Sequence, residues 1–159
     1  MPDPAEPGGA TPAAAGAGGA RGAADRDDLA DLALLRDAAA EGGDIALGHA
    51  RKGLSVTDKG GGQGPVTDAD MAVDSHLSRR LGAARPGYGW LSEETADGPQ
   101  RLTADSVFIV DPIDGTRAFI AGEDGWAVAV AVARAGRITA AVVALPARGE
   151  VYAAALGAG

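Results

Sequence analysis

The sequence predicts an α+β fold in which two N-terminal helices pack on a mainly antiparallel sheet. Three observations carry that expectation. Apolar residues recur at helical spacing in two early stretches, apolar runs of strand length follow, and short turn-forming segments separate the later runs. The chain has 159 residues, room for one domain.

The elements follow in order. Residues 1–24 are rich in Ala, Gly and Pro and hold no large apolar side chain after Met1. Such a stretch buries too little surface to offset its ordering entropy. A disordered tail over 1–26 and a folded part over 27–159 are expected, and removing the tail should change stability by no more than about 0.5 kcal/mol. Asp27 or Asp28 caps the first helix, which runs to about Lys52. Its stripe is Leu29, Leu32, Leu35, Ala39, Ala46 and Leu47, with Gly42 and Gly43 leaving room for a neighbour. Lys59 to Pro65 is glycine-rich and is expected as a loop. Thr67 or Asp68 caps a second helix with Val73, Leu77 and Leu81 inside, ended by Arg85-Pro86-Gly87.

Strands are expected at Tyr88–Ser92 and Ser106–Asp111. Trp126–Arg134 and Arg137–Leu145 flank Ala135-Gly136, a hairpin signal, and Glu150–Ala154 adds a third strand to that meander. The meander is expected to leave an apolar face exposed around Val128, Val130, Val132, Val142 and Val143, and so to favour self-association.

Composition excludes several function classes. The formal net charge is −8 with no basic stripe, which argues against nucleic acid and anionic membrane surfaces as partners. Cys is absent, so disulfides, zinc-thiolate sites and thiol nucleophiles are excluded. His49 and His76 are too few for a His-rich metal site and are expected as helix surface or packing residues. No apolar run approaches the ~20 residues that span a bilayer. The N-terminus has no basic segment followed by an apolar one, so a soluble cytoplasmic protein is expected. P-loop, dinucleotide and nucleophile-elbow signatures do not occur.

The sharpest chemical feature is Asp111-Pro112-Ile113-Asp114-Gly115-Thr116, directly after the apolar run Val107–Val110. Pro112 is expected to break the strand and Gly115 to permit a bend that brings the two carboxylates together. Two carboxylates ~4 Å apart repel by about 4 kcal/mol at an effective dielectric near 20, which calls for a shared proton or a cation. With oxygen donors alone that cation is Mg²⁺. The same six residues also fit a plain Asp-Pro turn with a glycine. A second acidic strand end is Ser92-Glu93-Glu94, where strand alternation points one carboxylate into a site. Alone it also fits the start of a solvated loop. A third feature is Pro65-Val66-Thr67-Asp68-Ala69-Asp70, whose acids suit a helix's first turn.

Together, in this order, the three motifs resemble the inositol monophosphatase family of lithium-sensitive, Mg²⁺-dependent phosphatases, over about Asp28 to Gly159. Within the family the chain is most similar to the 3′(2′),5′-bisphosphate nucleotidases of bacterial sulfur metabolism. Asp58–Thr67 and Arg117-Ala118-Phe119 carry that likeness, where inositol-type members usually place Thr-Asn-Phe after the Gly-Thr. The resemblance implies a sugar-phosphatase-like layered fold and two or three Mg²⁺ ions. The first would be held by Glu93, Asp111 and the Ile113 carbonyl, the second shared by Asp111 and Asp114. Thr116 and Asp70 would orient and deprotonate the attacking water. The Gly115 and Thr116 amides, with Lys59 nearby, would hold the phosphate, and Glu94 and Arg117 would support the site.

The implied substrate is a small phosphorylated metabolite, adenosine 3′,5′-bisphosphate, with an inositol or other small-alcohol phosphate as the alternative. A homodimer is one assembly the resemblance allows. Members carry a further half with a Trp-Asp motif. Here Trp90 and Trp126 are followed by Leu91 and Ala127, so the chain is expected to be an N-terminal portion of such an enzyme. An incompetent fragment that only binds metal or a partner is the reading from another class.

Overall fold

The computed structural model describes residues 26–61 and 64–158. The elements are α1 (Arg26–Lys52), β1 (Val56–Asp58), β2 (Pro65–Thr67), α2 (Asp68–Ala84), β3 (Gly89–Ser92), a 3-10 turn (Pro99–Thr103), β4 (Ser106–Asp114), α3 (Thr116–Ala121), β5 (Ala127–Arg134), β6 (Arg137–Leu145) and β7 (Glu150–Ala155). The expected tail lies outside the described residues, apart from Arg26, which opens α1.

β3 to β7 form one sheet in sequence order. β3 runs parallel to β4, and every other neighbouring pair is antiparallel. α1 and α2 pack together on one face of this sheet. The core between them joins Leu35, Ala38, Ala39 and Ala46 of α1, Val73, Leu77 and Leu81 of α2, and Phe108, Val110, Val128, Val130, Val132 and Val142 of the sheet. The expected class and helix-on-sheet arrangement are present.

The meander expectation needs correction. Val128, Val130, Val132 and Val142 lie on the inner face against the helices and are buried, and only Val143 of the five is exposed, at 40%. Alternation sends every second residue inward, and these four share that parity or its antiparallel partner's. The outer face carries Ile109, Val143 and Tyr152 instead. The first turn of α1 also departs from expectation: Leu29 is exposed, whereas Asp28 and Asp31 are buried.

α1 comes close to its neighbours through two glycines. A Cβ at Gly42 would lie 3.1 Å from Val73 Cγ1, and one at Gly43 would lie 2.6 Å from Pro146 Cγ. Gly43→Ala is therefore expected to destabilise by about 1–3 kcal/mol, as overpacking does. The reading is a lower denaturant midpoint with an unchanged slope. An unshifted midpoint would show that the segment around Pro146 yields freely.

Candidate active site

The site forms where β3 and β4 end side by side. Their parallel register pairs Ser92 with Val110, and the Glu93 amide donates to the Val110 carbonyl at 3.2 Å. The ladder thus runs one step past β3 and places Glu93 beside Asp111. Pro112 does not break β4. The strand continues to Asp114 through a bulge between Asp111 and Asp114 in the pairing with β5. A bulge leaves a backbone group out of the ladder, which suits a residue without an N–H. Ile113 is buried, whereas Asp114 is exposed.

Gly115 then turns the chain with φ +88, and a Cβ there would lie 3.0 Å from the Gly125 carbonyl oxygen. Both the left-handed backbone and this close approach call for glycine. The turn starts α3, a helix the sequence reading missed. Its signal was Gly122, whose left-handed conformation ends the helix.

The carboxylates are crowded. The Asp111 carboxyl is pushed up to about 7, first by burial, then by the charges of Glu93 and Asp114 and by a hydrogen bond to Glu93, with Asp70 adding to it. Glu94 is raised as well, mainly by burial and against the pull of Lys59. The Lys59 ammonium lies 2.7 Å from Glu94 and 3.3 Å from Glu93. Burial opposes its charge, but those two partners outweigh burial and hold its pKa above the ordinary value. Of the adjacent glutamates, Glu93 is the one beside Asp111 and on the cleft. β3 has ended at Ser92, strand alternation no longer applies, and both meet Lys59.

α2 supplies the second wall. Thr67 and Asp70 form a capping box: the Thr67 amide and hydroxyl donate to Asp70 Oδ2 at 2.8 and 2.6 Å, and the Asp70 amide donates to Thr67 Oγ1 at 3.3 Å. Asp70 is 1% exposed. With Oδ2 doubly occupied, its Oδ1 faces Thr116 Oγ1 at 3.4 Å, and that hydroxyl also reaches the Ile113 carbonyl at 3.0 Å. Asp68 points away, accepting from the Ser55 amide and pairing with His49, both at 2.9 Å, so it ties β1 to α2.

Asp74 escaped the sequence reading. It accepts from Ser92 Oγ at 2.5 Å and Thr95 Oγ1 at 2.7 Å, while Ser92 Oγ accepts from the Glu94 amide at 3.3 Å. It therefore fixes the segment that carries Glu93 and Glu94. The available signal was its spacing, one helical turn after Asp70 on the same face.

Gly64, Pro65, Glu93, Gly115, Thr116 and Arg117 line an open cleft of about 280 Å³ beside these groups. Among the described residues, no three of His, Cys, Asp and Glu stand assembled as a ready cation cage. The donors nevertheless fit Mg²⁺ in kind. Glu93, Asp111, Asp114 and the Ile113 carbonyl are all hard oxygens, and the Asp111 carboxyl is raised by burial first and then by the negative charges of Glu93 and Asp114.

A layered α+β sheet with acidic strand ends opening on a cleft defines a protein of the sugar-phosphatase-like kind. The chain belongs to the inositol monophosphatase family, whose model matches residues 28–159. It is 51% identical over 88 residues to a 3′-phosphoadenosine 5′-phosphate phosphatase of Mycobacterium bovis, covering 52% of this chain and 33% of that protein. It is 42% identical over 135 residues to the protein of that name from Mycobacterium leprae, covering 77% of this chain and 47% of the relative. The solved structure of the extragenic suppressor protein SuhB from Bartonella henselae matches with a TM-score of 0.73 and 32% identity, over 82% of this chain and 50% of that one. The chain thus spans about a third to a half of the length of these relatives. No helix among the described residues is long and apolar enough to cross a membrane.

Proposed function

We propose that the chain provides the carboxylate wall of a Mg²⁺-dependent phosphomonoesterase that removes the 3′-phosphate of adenosine 3′,5′-bisphosphate, giving AMP and phosphate in the cytoplasm. The observation that carries this reading is the juxtaposition of the crowded Glu93–Asp111 pair with the Thr116–Asp70 pair, at a cleft that Glu93 and Thr116 line. The names of the mycobacterial relatives support the substrate.

Glu93, Asp111, the Ile113 carbonyl and Asp114 would hold Mg²⁺, two or three ions in a complete site. Bound Mg²⁺ supplies Lewis-acid stabilisation of charge on the phosphate oxygens, which an acidic protein facing a phosphate dianion otherwise lacks. The chain's own groups do the rest. The Thr116 hydroxyl donates a hydrogen bond to the Ile113 carbonyl or to Asp70 Oδ1, which leaves its lone pairs to accept a hydrogen bond from the attacking water and aim it. Asp70 is locked by Thr67 and takes up the proton released there. The Gly115 and Thr116 amides hold phosphate oxygens, Lys59 adds positive charge at the cleft, Glu94 steadies Lys59, and Asp74 keeps the Glu93 segment in place.

The test is phosphate release by the purified protein from adenosine 3′,5′-bisphosphate and from inositol 1-phosphate, with Mg²⁺ or with a chelator. Mg²⁺-dependent release that favours the bisphosphate and is inhibited by lithium is the expected outcome. Preference for inositol phosphate would replace the substrate, and release unaffected by the chelator would remove the metal.

A further inference from the structure

Two cations stand by the acidic cluster, Arg117 on the cleft itself and Lys59 against Glu93 and Glu94, and they are in opposite situations. Lys59 is occupied by Glu93 and Glu94. Arg117 shares the same cleft with Glu93, yet among the described residues its guanidinium has neither a carboxylate nor a hydrogen-bond partner. In a chain of net charge −8 with 22 acidic residues, a guanidinium beside an acidic cluster that pairs with none of it is directed at something outside the chain. Its surroundings leave it open. Arg117 is exposed, and a Cβ at Gly64 would lie 3.7 Å from Arg117 Nη2. Gly64 has φ +92, a conformation that favours glycine, so position 64 itself places no side chain over the guanidinium.

The ligand class follows from charge and shape. A guanidinium offers a planar fork of donors that matches a phosphate or carboxylate. By the roles proposed above, the reacting phosphate is met by Glu93, Asp111 and Thr116, of which Glu93 and Thr116 line the cleft together with Arg117. We propose that Arg117 is a specificity residue that binds the second, non-reacting phosphate of a bisphosphate substrate. This rests on the reading of the cleft as a bisphosphate phosphatase site. A monophosphate has nothing to offer Arg117, so the residue discriminates between substrates without taking part in the chemistry.

The test compares Arg117→Ala and Arg117→Lys with the parent protein, all with Mg²⁺, on adenosine 3′,5′-bisphosphate and adenosine 3′-monophosphate. Loss of one charge-assisted phosphate contact corresponds to about a 10–100-fold rise in KM for the bisphosphate. Its kcat should stay within about threefold, both constants for the monophosphate should be unchanged, and Arg117→Lys should fall between. Inhibition by AMP, which keeps the 5′-phosphate, should weaken by the same factor and gives a binding readout separate from turnover. The melting temperature should not move, because the guanidinium supports no contact of the fold. Equal losses on both substrates, or none on either, overturn the assignment of Arg117 while leaving the bisphosphate reading intact. A parent protein that does not hydrolyse the bisphosphate overturns that reading and this inference with it.

Discussion

Asp111→Asn is expected to lower Mg²⁺-dependent phosphate release by about three orders of magnitude or more and, in the same protein freed of metal, to raise stability above neutral pH. The first effect follows because Asp111 is the carboxylate that both proposed metal positions share. Loss of several kcal/mol of transition-state stabilisation reaches that factor, since each ~1.4 kcal/mol is tenfold. The second follows from the crowding. The Asp111 carboxyl titrates at about 7 in the fold, raised first by burial and then by Glu93 and Asp114. An unfolded Asp titrates near ~3.9. A folded pKa raised above the unfolded one gives stability that is fully present below ~3.9 and is lost as pH rises through about 7. The group is half-buried, so solvent screening reduces the loss to the order of 1–2 kcal/mol.

The asparagine keeps the shape and an N–H to donate to Glu93 but has no charge to accumulate. Melting curves from pH 5 to pH 8 in chelator should therefore fall for the parent and fall less for the variant. Added Mg²⁺ should restore the parent through ligand linkage and leave the variant unmoved. A variant that melts below the parent at pH 8 without metal, or that keeps its Mg²⁺ response, would remove Asp111 from the proposed site.

The contrast between these residues and the others shows what a sequence reveals. Asp111 to Thr116 was legible because proline, two acids and a glycine within six residues carry strong local constraints. So was the Thr67 cap, whose partner Asp70 is three residues away. The first two helices and the β5–β7 meander were legible because periodicity is local. What was not legible depends on long-range pairing. Whether both Glu93 and Glu94 reach Lys59 depends on where β3 ends and on where the β1–β2 hairpin puts Lys59, thirty-four and thirty-five residues earlier. Which face of the meander is buried depends on where α1 lies, and the valine alternation alone permits either answer. Asp74 looks like any helix acid until Ser92 and Thr95 are brought to it across the sheet. The first turn of α1 was misread for the same reason: Asp28 and Asp31 are buried because a partner 106 and 103 residues away meets them.

That partner, Arg134, supports the second large expected effect. Arg134 ends β5 and donates through Nη1 to Asp28 at 2.7 Å, through Nη2 to Asp31 at 3.1 Å and to the Tyr88 hydroxyl at 3.1 Å, and through Nε to Ser106 at 3.2 Å. Asp31 also accepts from Arg85 Nε and from the Tyr88 hydroxyl, both at 2.9 Å. The network joins the start of α1 to the end of the sheet opposite the cleft. Its two sides are unequal in burial. The Asp28 and Asp31 side chains are 7% and 0% exposed, whereas those of Arg134 and Arg85 are 25% and 31% exposed. An orphaned arginine can turn to water, but an orphaned Asp28 cannot. Arg134→Met keeps the aliphatic stem but strands Asp28 and leaves Asp31 with Arg85 and Tyr88. Breaking a buried pair from this side is expected to destabilise by about 3–5 kcal/mol. Asp28→Asn, which removes the buried charge and leaves Arg134 its other partners, should cost clearly less, and adding it to Arg134→Met should recover part of the loss. Denaturant unfolding of the three variants measures the asymmetry. If Arg134→Met and Asp28→Asn lose the same amount, or if Asp28→Asn adds its full loss to that of Arg134→Met, the stranded carboxylate is not the cause, and α1 is held to the sheet by its apolar face alone.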